Sequence, residues 1–485
     1  MRLRELLQRV AVLSLTAPPE AEVRGISTDT RRLSPGEVFV ALRGEHRDGH
    51  SFAQEALRLG APAVVVERPL RGLPCVEVAD TRAALARMAA NLNGNPSERL
   101  TLVGVTGTNG KTTTTCLLEA VLRAQGLRTG LIGTVGYLVN GRKRPAALTT
   151  PLAQDFQGLL AEMLRGGSTH AVVEVSSHAL ALRRVDATEF RAAVFTNLSR
   201  DHLDFHPGME AYYQAKARLF RELLKGPAVI NADDPYGQRL MKELQGTEVL
   251  SFGFSSSAAL RAQALSLGPQ GLSMEVLYQG RRWHLESPLL GRPNAYNLLA
   301  ALGASLALGL EPEAAIPPLQ GFQGVKGRLQ SLRNGQDFLV LIDYAHSPDA
   351  LRQLILTARE IAPSGRVITL FGCGGERDKG KRPLMGALAE QLSDAVVLTS
   401  DNPRGEEPEA IIRDILRGMS RPSEKLLVEP ERPAAIRKAI AMARAGDVVL
   451  IAGKGHEDYQ EVKGVRYRMS DYQLAAEALK DRSPC

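Results

Sequence analysis

One stretch limits what this chain can fold into more than any other: Val103-Gly104-Val105-Thr106-Gly107-Thr108-Asn109-Gly110-Lys111-Thr112-Thr113-Thr114-Thr115. Arg99 to Val103 before it are apolar and β-prone, and Cys116 to Leu122 after it carry apolar side chains at helical spacing. Strand, glycine-bearing turn, lysine, hydroxyl and helix, in that order, are the layout of a phosphate-binding loop. Glycine lets backbone N–H groups approach phosphate oxygens, and the helix N-terminus adds partial positive charge. Lys111 would reach the terminal phosphates, and Thr112 would offer its hydroxyl to Mg²⁺. The strict loop pattern has a glycine where Val105 stands, and Gly107 is the inner glycine instead. A bare Gly-Lys-Thr also arises by chance in strand–turn–helix connections, so the flanking elements carry the reading.

A chain of 485 residues is too long for one ordinary core and is expected to form about three domains. Residues 1–97 read as a first α/β unit. It has strands at Gly36–Leu42 and Ala63–Val66, a helix starting at Phe52, and an end at Asn93-Gly94-Asn95-Pro96-Ser97. Residues 98–325 hold the phosphate loop and buried strands at Ala171–Val175, Ala192–Asn197 and Ala228–Asp234. Residues 326–485 hold apolar strands at Val340–His346, Arg366–Gly372, Ala395–Asp401 and Asp447–Gly453, with helical stretches between them. The expected class is therefore α/β. A central P-loop-type domain with a parallel sheet would be flanked by a smaller N-terminal α/β domain and a C-terminal Rossmann-like, doubly wound domain. Polar residues cluster just past the strand C-termini, the edge where open parallel sheets bind ligands. Gly372-Cys373-Gly374-Gly375 lacks the full dinucleotide spacing, so no nicotinamide site is read there.

The formal charge of +7 is modest at this length, and no dense Lys/Arg block suggests nucleic acid. A polyanionic small substrate would suit it. The cysteines Cys75, Cys116, Cys373 and Cys485 are far apart, with no Cys-x-x-Cys, which fits a reducing cytosol. At the N-terminus Leu3, Leu6, Leu7 and Val10 have helical spacing, but Glu5 and Arg9 interrupt any signal-peptide core. The longest low-polarity run, Ala295 to Leu310, is too short to span a bilayer comfortably. A cytoplasmic protein without membrane or nucleic-acid partners, and a monomer, is expected.

Several residues gain weight from their setting. Glu174 and His202 sit at or past strand ends in the loop domain, where a carboxylate and an imidazole could ligate a metal. Taken singly, they read equally well as an ion-pair partner and a helix cap. Lys216, in Tyr212-Tyr213-Gln214-Ala215-Lys216, looks by spacing alone like a solvated helical lysine. Gly291 to Asn297 would open a helix from Leu298 to Leu310, Lys326-Gly327-Arg328 falls at a domain boundary, and Asp343-Tyr344-Ala345-His346 ends a strand.

The run Thr106 to Thr113, together with these segments in their order and spacing from about residue 25 to residue 460, resembles the Mur ligases, the amide-forming enzymes of bacterial cell-wall precursor synthesis. The resemblance implies ATP and Mg²⁺ as cofactors. It places ATP on Gly107, Thr108, Asn109, Gly110, Lys111, Thr112, Thr113, Asn297, Arg328, Asp343 and His346. It makes Lys111, Lys216, Glu174 and His202 catalytic, and gives metal contacts to Thr112, Glu174, His202 and Lys216. In the family the lysine matching Lys216 is carbamylated by CO₂. Only an unprotonated amine reacts so, and the site would have to lower its pKa from about 10.4.

Within the family the chain looks most like the ligases that add meso-diaminopimelate to UDP-N-acetylmuramoyl-L-alanyl-D-glutamate. Thr28, Thr30, Glu45, His46 and Arg47 would meet the UDP group, and Thr149, Thr150, Ser176 and Arg184 the muramoyl-dipeptide. Asp401-Asn402-Pro403-Arg404 resembles the diaminopimelate motif, with Arg377, Gly453 and Glu457 at further matching positions. Diaminopimelate differs from lysine by one distal carboxylate, which an arginine can grip with two hydrogen bonds. A lysine- or ornithine-adding ligase is the nearer alternative, and a P-loop switch or motor NTPase the distant one.

Overall fold

The computed structural model describes residues 1–44, 47–420 and 425–482. Its strands form three main sheets and one small hairpin. In the first sheet Gly25–Ser27, Glu37–Val40, Val64–Val66 and Cys75–Val78 run parallel, and Val12–Leu15 pairs antiparallel with Cys75–Val78 at one edge. The N-terminal helical spacing yields only one turn, Leu3–Leu6. The chain then passes through Arg9 with a left-handed φ of 58° and continues as a strand, so Val10 never joins that helix.

The second sheet has 11 strands, with Thr101–Thr106 near its middle. Thr101–Thr106 lies between His170–Glu174 and Ala192–Phe195, both parallel to it. The register sets Glu174 against Val105 and Phe195 against Thr106, so the three C-terminal ends emerge side by side. Alternate residues of these strands feed two separate cores. Val103, Val105, Val172 and Val194 pack with Leu117, Leu118 and Leu298 from the helices Lys111–Ala124 and Arg292–Ala307. Leu102, Val173, Ala193 and Phe195 pack with Phe156, Leu160 and Tyr213 from Ala153–Arg165 and Met209–Arg218. With both faces covered, the strands must be apolar throughout, which is why they read as continuous hydrophobic runs.

Two features of this sheet differ from the sequence expectation. The helix expected from Leu298 begins at Arg292, with Pro293 in its first turn, where a missing N–H costs nothing. The sheet also extends through Leu260–Gly268, Gly271–Tyr278 and Arg281–Ser287, an antiparallel ladder that was not anticipated. Its signal was present: Leu272, Met274 and Val276 alternate with polar residues, between turns containing Gly271 and Gly280 at positive φ.

The third sheet runs parallel through Leu339–Asp343, Val448–Ala452, Val367–Phe371, Ala395–Leu398 and Leu426–Val428, with Gln330–Leu332 antiparallel at one edge. The segments beginning at Tyr344, Gly372, Thr399 and Gly453 therefore all leave one sheet edge. Beneath that edge the guanidinium of Arg432, fully buried, meets the fully buried carboxylate of Asp471 at 2.7 Å. Arg432 also donates to the carbonyls of Ser400 (3.2 Å) and Ala452 (2.9 Å). The pair ties the last helix, Asp471–Asp481, to two strand ends.

Removing one partner of such a pair strands a buried charge, at a cost of about 3–5 kcal/mol. Asp471→Ala is expected to lower the denaturation midpoint of the third sheet's domain sharply, while Arg432→Met with Asp471→Leu recovers much of it. Denaturant unfolding of the two variants checks this.

Candidate active site

The turn after Thr101–Thr106 is shaped by two glycines. Gly107 has φ 151°, and a Cβ there would fall 1.8 Å from Thr196 Oγ1; Gly110 has φ 87°, and a Cβ there would fall 2.3 Å from Asn297 Oδ1. Both positions require glycine for space as well as for conformation. Thr108 N donates to the carbonyl of Asn197 (2.9 Å), Asn109 N to Asn197 Oδ1 (3.0 Å), and Thr196 Oγ1 to the carbonyl of Asn109 (2.6 Å). Lys111 Nζ folds back onto the carbonyls of Gly107 (2.9 Å) and Thr108 (2.8 Å). Burial holds its pKa below the usual lysine value, against the pull of Glu174 and Asp201.

Glu174 is fully buried at the end of its strand. Its carboxylate accepts from Thr112 Oγ1 (2.9 Å), Thr134 N (2.7 Å) and Thr134 Oγ1 (3.0 Å). Thr134 Oγ1 lies 3.0 Å from Thr149 Oγ1, and Thr150 Oγ1 donates to the Glu174 carbonyl at 2.7 Å. Ser176 N donates to Thr150 Oγ1 (3.1 Å), and Arg184 Nη1 to the Thr150 carbonyl (3.1 Å). Thr149, Thr150, Ser176 and Arg184 are thus connected to the glycine loop through Glu174.

Lys216 is 1% exposed, which sets aside the solvated-lysine reading. Its Nζ donates to the Gly107 carbonyl at 2.7 Å and lies 4.6 Å from the Tyr212 ring centroid. Desolvation, then the nearby charge of Lys111, push its pKa well below the ordinary value and favour the neutral amine. His202 sits in a loop at φ 54°, its ring 4.8 Å from that of His178. Burial lowers its pKa, and Asp201 opposes the shift. Among the described residues no group of three or more His, Cys, Asp or Glu side chains is arranged to hold a metal.

A cleft of about 490 Å³ opens from the glycine loop toward the third sheet and is lined by Asn109, Gly110, Thr113, Asn297, Arg328 and Asp343, among others. Asn297 is buried in the second turn of its helix, with its Nδ2 donating to Asn294 Oδ1 at 2.9 Å. Arg328 lies 4.8 Å from the Tyr344 ring centroid. Asp343 accepts from Leu329 N (2.6 Å) and Ala345 N (2.8 Å); burial raises its pKa, chiefly against Arg328. His346 is exposed, with Nδ1–H donating to the Tyr344 carbonyl at 2.8 Å. Ser199 Oγ donates to Asp349 Oδ2 (2.9 Å) across the cleft mouth.

At the third sheet's edge Arg404 takes φ 52° and donates from Nη1 to the carbonyl of Gly375 at 2.8 Å. Asn402 is turned inward. Its Oδ1 accepts from Lys454 Nζ (2.9 Å) and Glu461 N (2.9 Å), and its Nδ2 donates to Glu457 Oε2 (2.8 Å). Asp401 abuts Gly453, where a Cβ would fall 2.4 Å from Asp401 Oδ2. Pro403 stiffens the turn between them, and Arg377 is exposed on the adjoining loop. In the first domain Thr30 Oγ1 lies 3.4 Å from Glu55 Oε2, and Thr28 and Arg47 lie in loops. Glu45 and His46 lie outside the described residues.

Residues 22–92 match the Mur ligase family, catalytic domain; residues 105–305 match the Mur ligase middle domain; residues 327–455 match the Mur ligase, glutamate ligase domain. The chain is 46% identical over 488 residues to a UDP-N-acetylmuramoyl-L-alanyl-D-glutamate--2,6-diaminopimelate ligase of Solibacter usitatus, covering 99% of this chain and 98% of the relative. It is 45% identical to the enzyme of that name from Aquifex aeolicus, over 94% of each chain. This chain belongs to the Mur ligase family.

The ligase also aligns with a solved diaminopimelate ligase structure at 34% identity and TM-score 0.72, covering 99% of each chain. It shares its fold with MurF of Thermotoga maritima in complex with ADP, at 23% identity and TM-score 0.63. The three matched regions give the ligase a three-domain architecture. No helix among the described residues is long and apolar enough to cross a membrane.

Several site residues escaped the sequence reading. Thr134 had no signal, since a lone threonine between strands is ordinary. Asn197 stood in a strand-end segment without a role of its own. Lys454 lay inside a glycine-rich motif, but its complete burial could not be read from spacing. Lys111 is the lysine of the glycine loop, and in this structure its Nζ is held by two backbone carbonyls. Its removal deletes charge stabilisation without touching either core. Lys111→Ala is expected to cut the ligase's turnover by about 10²–10³ or more with an unchanged melting temperature, as phosphate release and thermal unfolding would report.

Proposed function

We propose that this ATP-dependent ligase joins meso-diaminopimelate to the D-glutamyl γ-carboxylate of UDP-N-acetylmuramoyl-L-alanyl-D-glutamate in peptidoglycan precursor synthesis. The observation that carries the reading is the Asp401–Arg404 turn. It presents an arginine beside a carboxylate–amide–lysine cluster in a chain 46% identical to a diaminopimelate ligase. The P-loop-type central domain (98–325) would bind ATP, the N-terminal domain (1–97) the UDP group, and the Rossmann-like C-terminal domain (326–485) the amino acid. A cytoplasmic location follows from these soluble substrates.

ATP phosphorylates the γ-carboxylate, because a carboxylate is a poor electrophile and an acyl phosphate carries a good leaving group. The amine of diaminopimelate then attacks, and the tetrahedral intermediate expels phosphate. Lys111 moves from the Gly107 and Thr108 carbonyls onto the transferring phosphoryl group. The backbone N–H groups of 107–113 cradle the phosphates, Asn297 lies against the base, and Arg328, Asp343 and His346 close over the nucleotide. Thr149, Thr150, Ser176 and Arg184 hold the acid, on the network that Glu174 anchors. Closure of the cleft excludes water from the acyl phosphate.

The residues fit Mg²⁺. A hydroxyl and a carboxylate, Thr112 and Glu174, are hard oxygen donors, and Mg²⁺ is commonly held by one or two protein oxygens plus substrate phosphates and water. His202 and a carbamate on Lys216 would complete the set. When bound, Mg²⁺ neutralises charge on the phosphates. A buried lysine biased toward its neutral form is a competent partner for CO₂: its nitrogen would add to the carbon and release a proton, putting a carbamate anion in place of a neutral amine beside Lys111.

Lys216→Ala is expected to be nearly inactive, with partial rescue by a small carboxylate in the buffer. The wild type should lose activity as pH falls through the lysine's lowered pKa, because the protonated amine cannot carry the carbamate. Intact-mass analysis and a pH series with and without bicarbonate test this.

Arg404 should hold the distal carboxylate of diaminopimelate, with Arg377 as the second cation and Gly453 and Glu457 at the distal amino and carboxyl ends. Removing one partner of a charge-assisted pair costs about 2–5 kcal/mol. At about 1.4 kcal/mol per tenfold, Arg404→Ala is expected to raise KM for diaminopimelate by tens- to thousands-fold, with ATP and the UDP substrate little affected. Phosphate release against diaminopimelate, lysine and ornithine decides the substrate, since equal use of lysine by the wild type would remove the assignment.

A further inference from the structure

Two loops at the third sheet's edge, 372–380 and 399–407, are built into each other. Gly375 N donates to the Asn402 carbonyl at 2.9 Å, and Arg404 Nη1 donates to the Gly375 carbonyl at 2.8 Å. A Cβ on Gly375 would fall 1.9 Å from the Pro403 carbonyl oxygen. Glu376 and Arg404, one on each loop, both take left-handed backbone, at φ 54° and 52°. Non-glycine residues hold that conformation only where their surroundings impose it.

The backbone of Arg404 is held by the hairpin of Tyr459–Val462 and Val465–Arg468, with Arg404 N donating to the Glu461 carbonyl (3.0 Å) and Lys463 N donating to the Arg404 carbonyl (2.6 Å). The buried group that joins the two loops is Arg382. It is fully buried in the first turn of the helix Lys381–Leu392. Its Nη1 donates to Glu406 Oε2 (2.9 Å) and Asp414 Oδ2 (2.9 Å), and its Nη2 to Glu406 Oε1 (2.9 Å) and the Gly374 carbonyl (3.3 Å). Glu406 Oε1 in turn accepts from Glu376 N at 2.6 Å. One guanidinium therefore fixes a carbonyl of the first loop and the carboxylate of the second. That same carboxylate holds the first loop's backbone one residue before Arg377.

We propose that Arg382 and Glu406 are positioning residues for amino-acid selection. Their pairing sets the separation of Arg377 from Arg404, so that both cations meet one distal carboxylate. The inference rests on the diaminopimelate reading above. Among the described residues the Arg404 guanidinium donates through Nη1 to the Gly375 carbonyl, which leaves Nη2 and Nε for the substrate. Gly375 is held there on both sides, by its own N–H on the Asn402 carbonyl and by the next N–H, of Glu376, on Glu406.

Glu406→Gln is the sensitive variant. A carboxylate accepts on both oxygens, but an amide accepts on one, so its NH₂ would face Arg382 Nη1 in one orientation, or both Arg382 Nη2 and Glu376 N in the other. Arg382→Lys is the second variant, able to reach one acceptor but not all four contacts. In steady-state kinetics on the full-length ligase, Glu406→Gln is expected to raise KM for diaminopimelate at least tenfold. kcat at saturation, and KM for ATP and for the UDP substrate, should stay within threefold. Arg382→Lys should show the same selective rise, and the preference for diaminopimelate over lysine should narrow in both. A KM for diaminopimelate within twofold of wild type in Glu406→Gln would overturn the proposal. So would a rise of all three KM values together with a lowered melting temperature, the mark of a merely structural role. If the wild type itself uses lysine as well as diaminopimelate, the diaminopimelate reading fails first; a selective wild type with an unaffected Glu406→Gln removes only this inference.

Discussion

The buried carboxylate of Glu174 is the contact on which the central site depends. A fully buried anion is costly unless several donors meet it, and here Thr112 and Thr134 supply a hydroxyl, a backbone N–H and a second hydroxyl. That requirement links structure to chemistry. The first of these hydroxyls opens the helix after the glycine loop. The second touches Thr149, and the carbonyl of Glu174 itself holds Thr150. The proposed phosphate end and acid end of the reaction would therefore be referenced to one side chain. The parallel register that sets Glu174 against Val105 is what brings it there.

The same economy explains the two lysines. Lys111 and Lys216 both donate to the Gly107 carbonyl, at 2.9 and 2.7 Å. Two cations on one carbonyl oxygen in a buried site repel each other, and the neighbouring Lys111 is one cause of the depressed pKa of Lys216. A neutral Lys216 relieves the conflict, and an anionic one would turn it into attraction. Burial lowers the pKa of both lysines, and the stronger shift at Lys216 makes it the one that more readily gives its charge up.

Much of this was legible in the sequence. The glycine loop, the apolar parallel strands and the polar clusters at their ends follow from patterns that local residues impose. Gly107 and Gly110 illustrate this, since steric need and positive φ leave no other residue type. What was not legible is set by contacts distant in sequence. Lys216 looked solvated because its helix is polar at that turn, yet it is buried against a carbonyl 109 positions away. The inward turn of Asn402, whose oxygen accepts from Lys454 and Glu461 N, depends on residues more than 50 positions away. The helix start at Arg292 was misplaced because Pro293 reads as a breaker until its position in the first turn is known. The Leu260–Ser287 ladder was passed over because its strands alternate, unlike the buried runs on either side.

The two ends of the molecule solve recognition differently, and the difference is physical. A phosphate is met by backbone N–H groups and one lysine, which any chain with the right glycines can present, so a short motif suffices. A distal carboxylate on a flexible amino acid must be told from a hydrogen in the same place, which demands cations at fixed separation. Exposed arginines do not hold fixed separation by themselves, because each loses side-chain entropy when ordered. In the proposed amino-acid site the ordering would be done in advance by buried groups. Arg382 against Glu406 and Asp414, and Lys454 against Asn402 and Glu457, have their charges satisfied inside the protein. The substrate would then meet a surface that needs little further ordering, which is how preorganisation turns charge complementarity into discrimination.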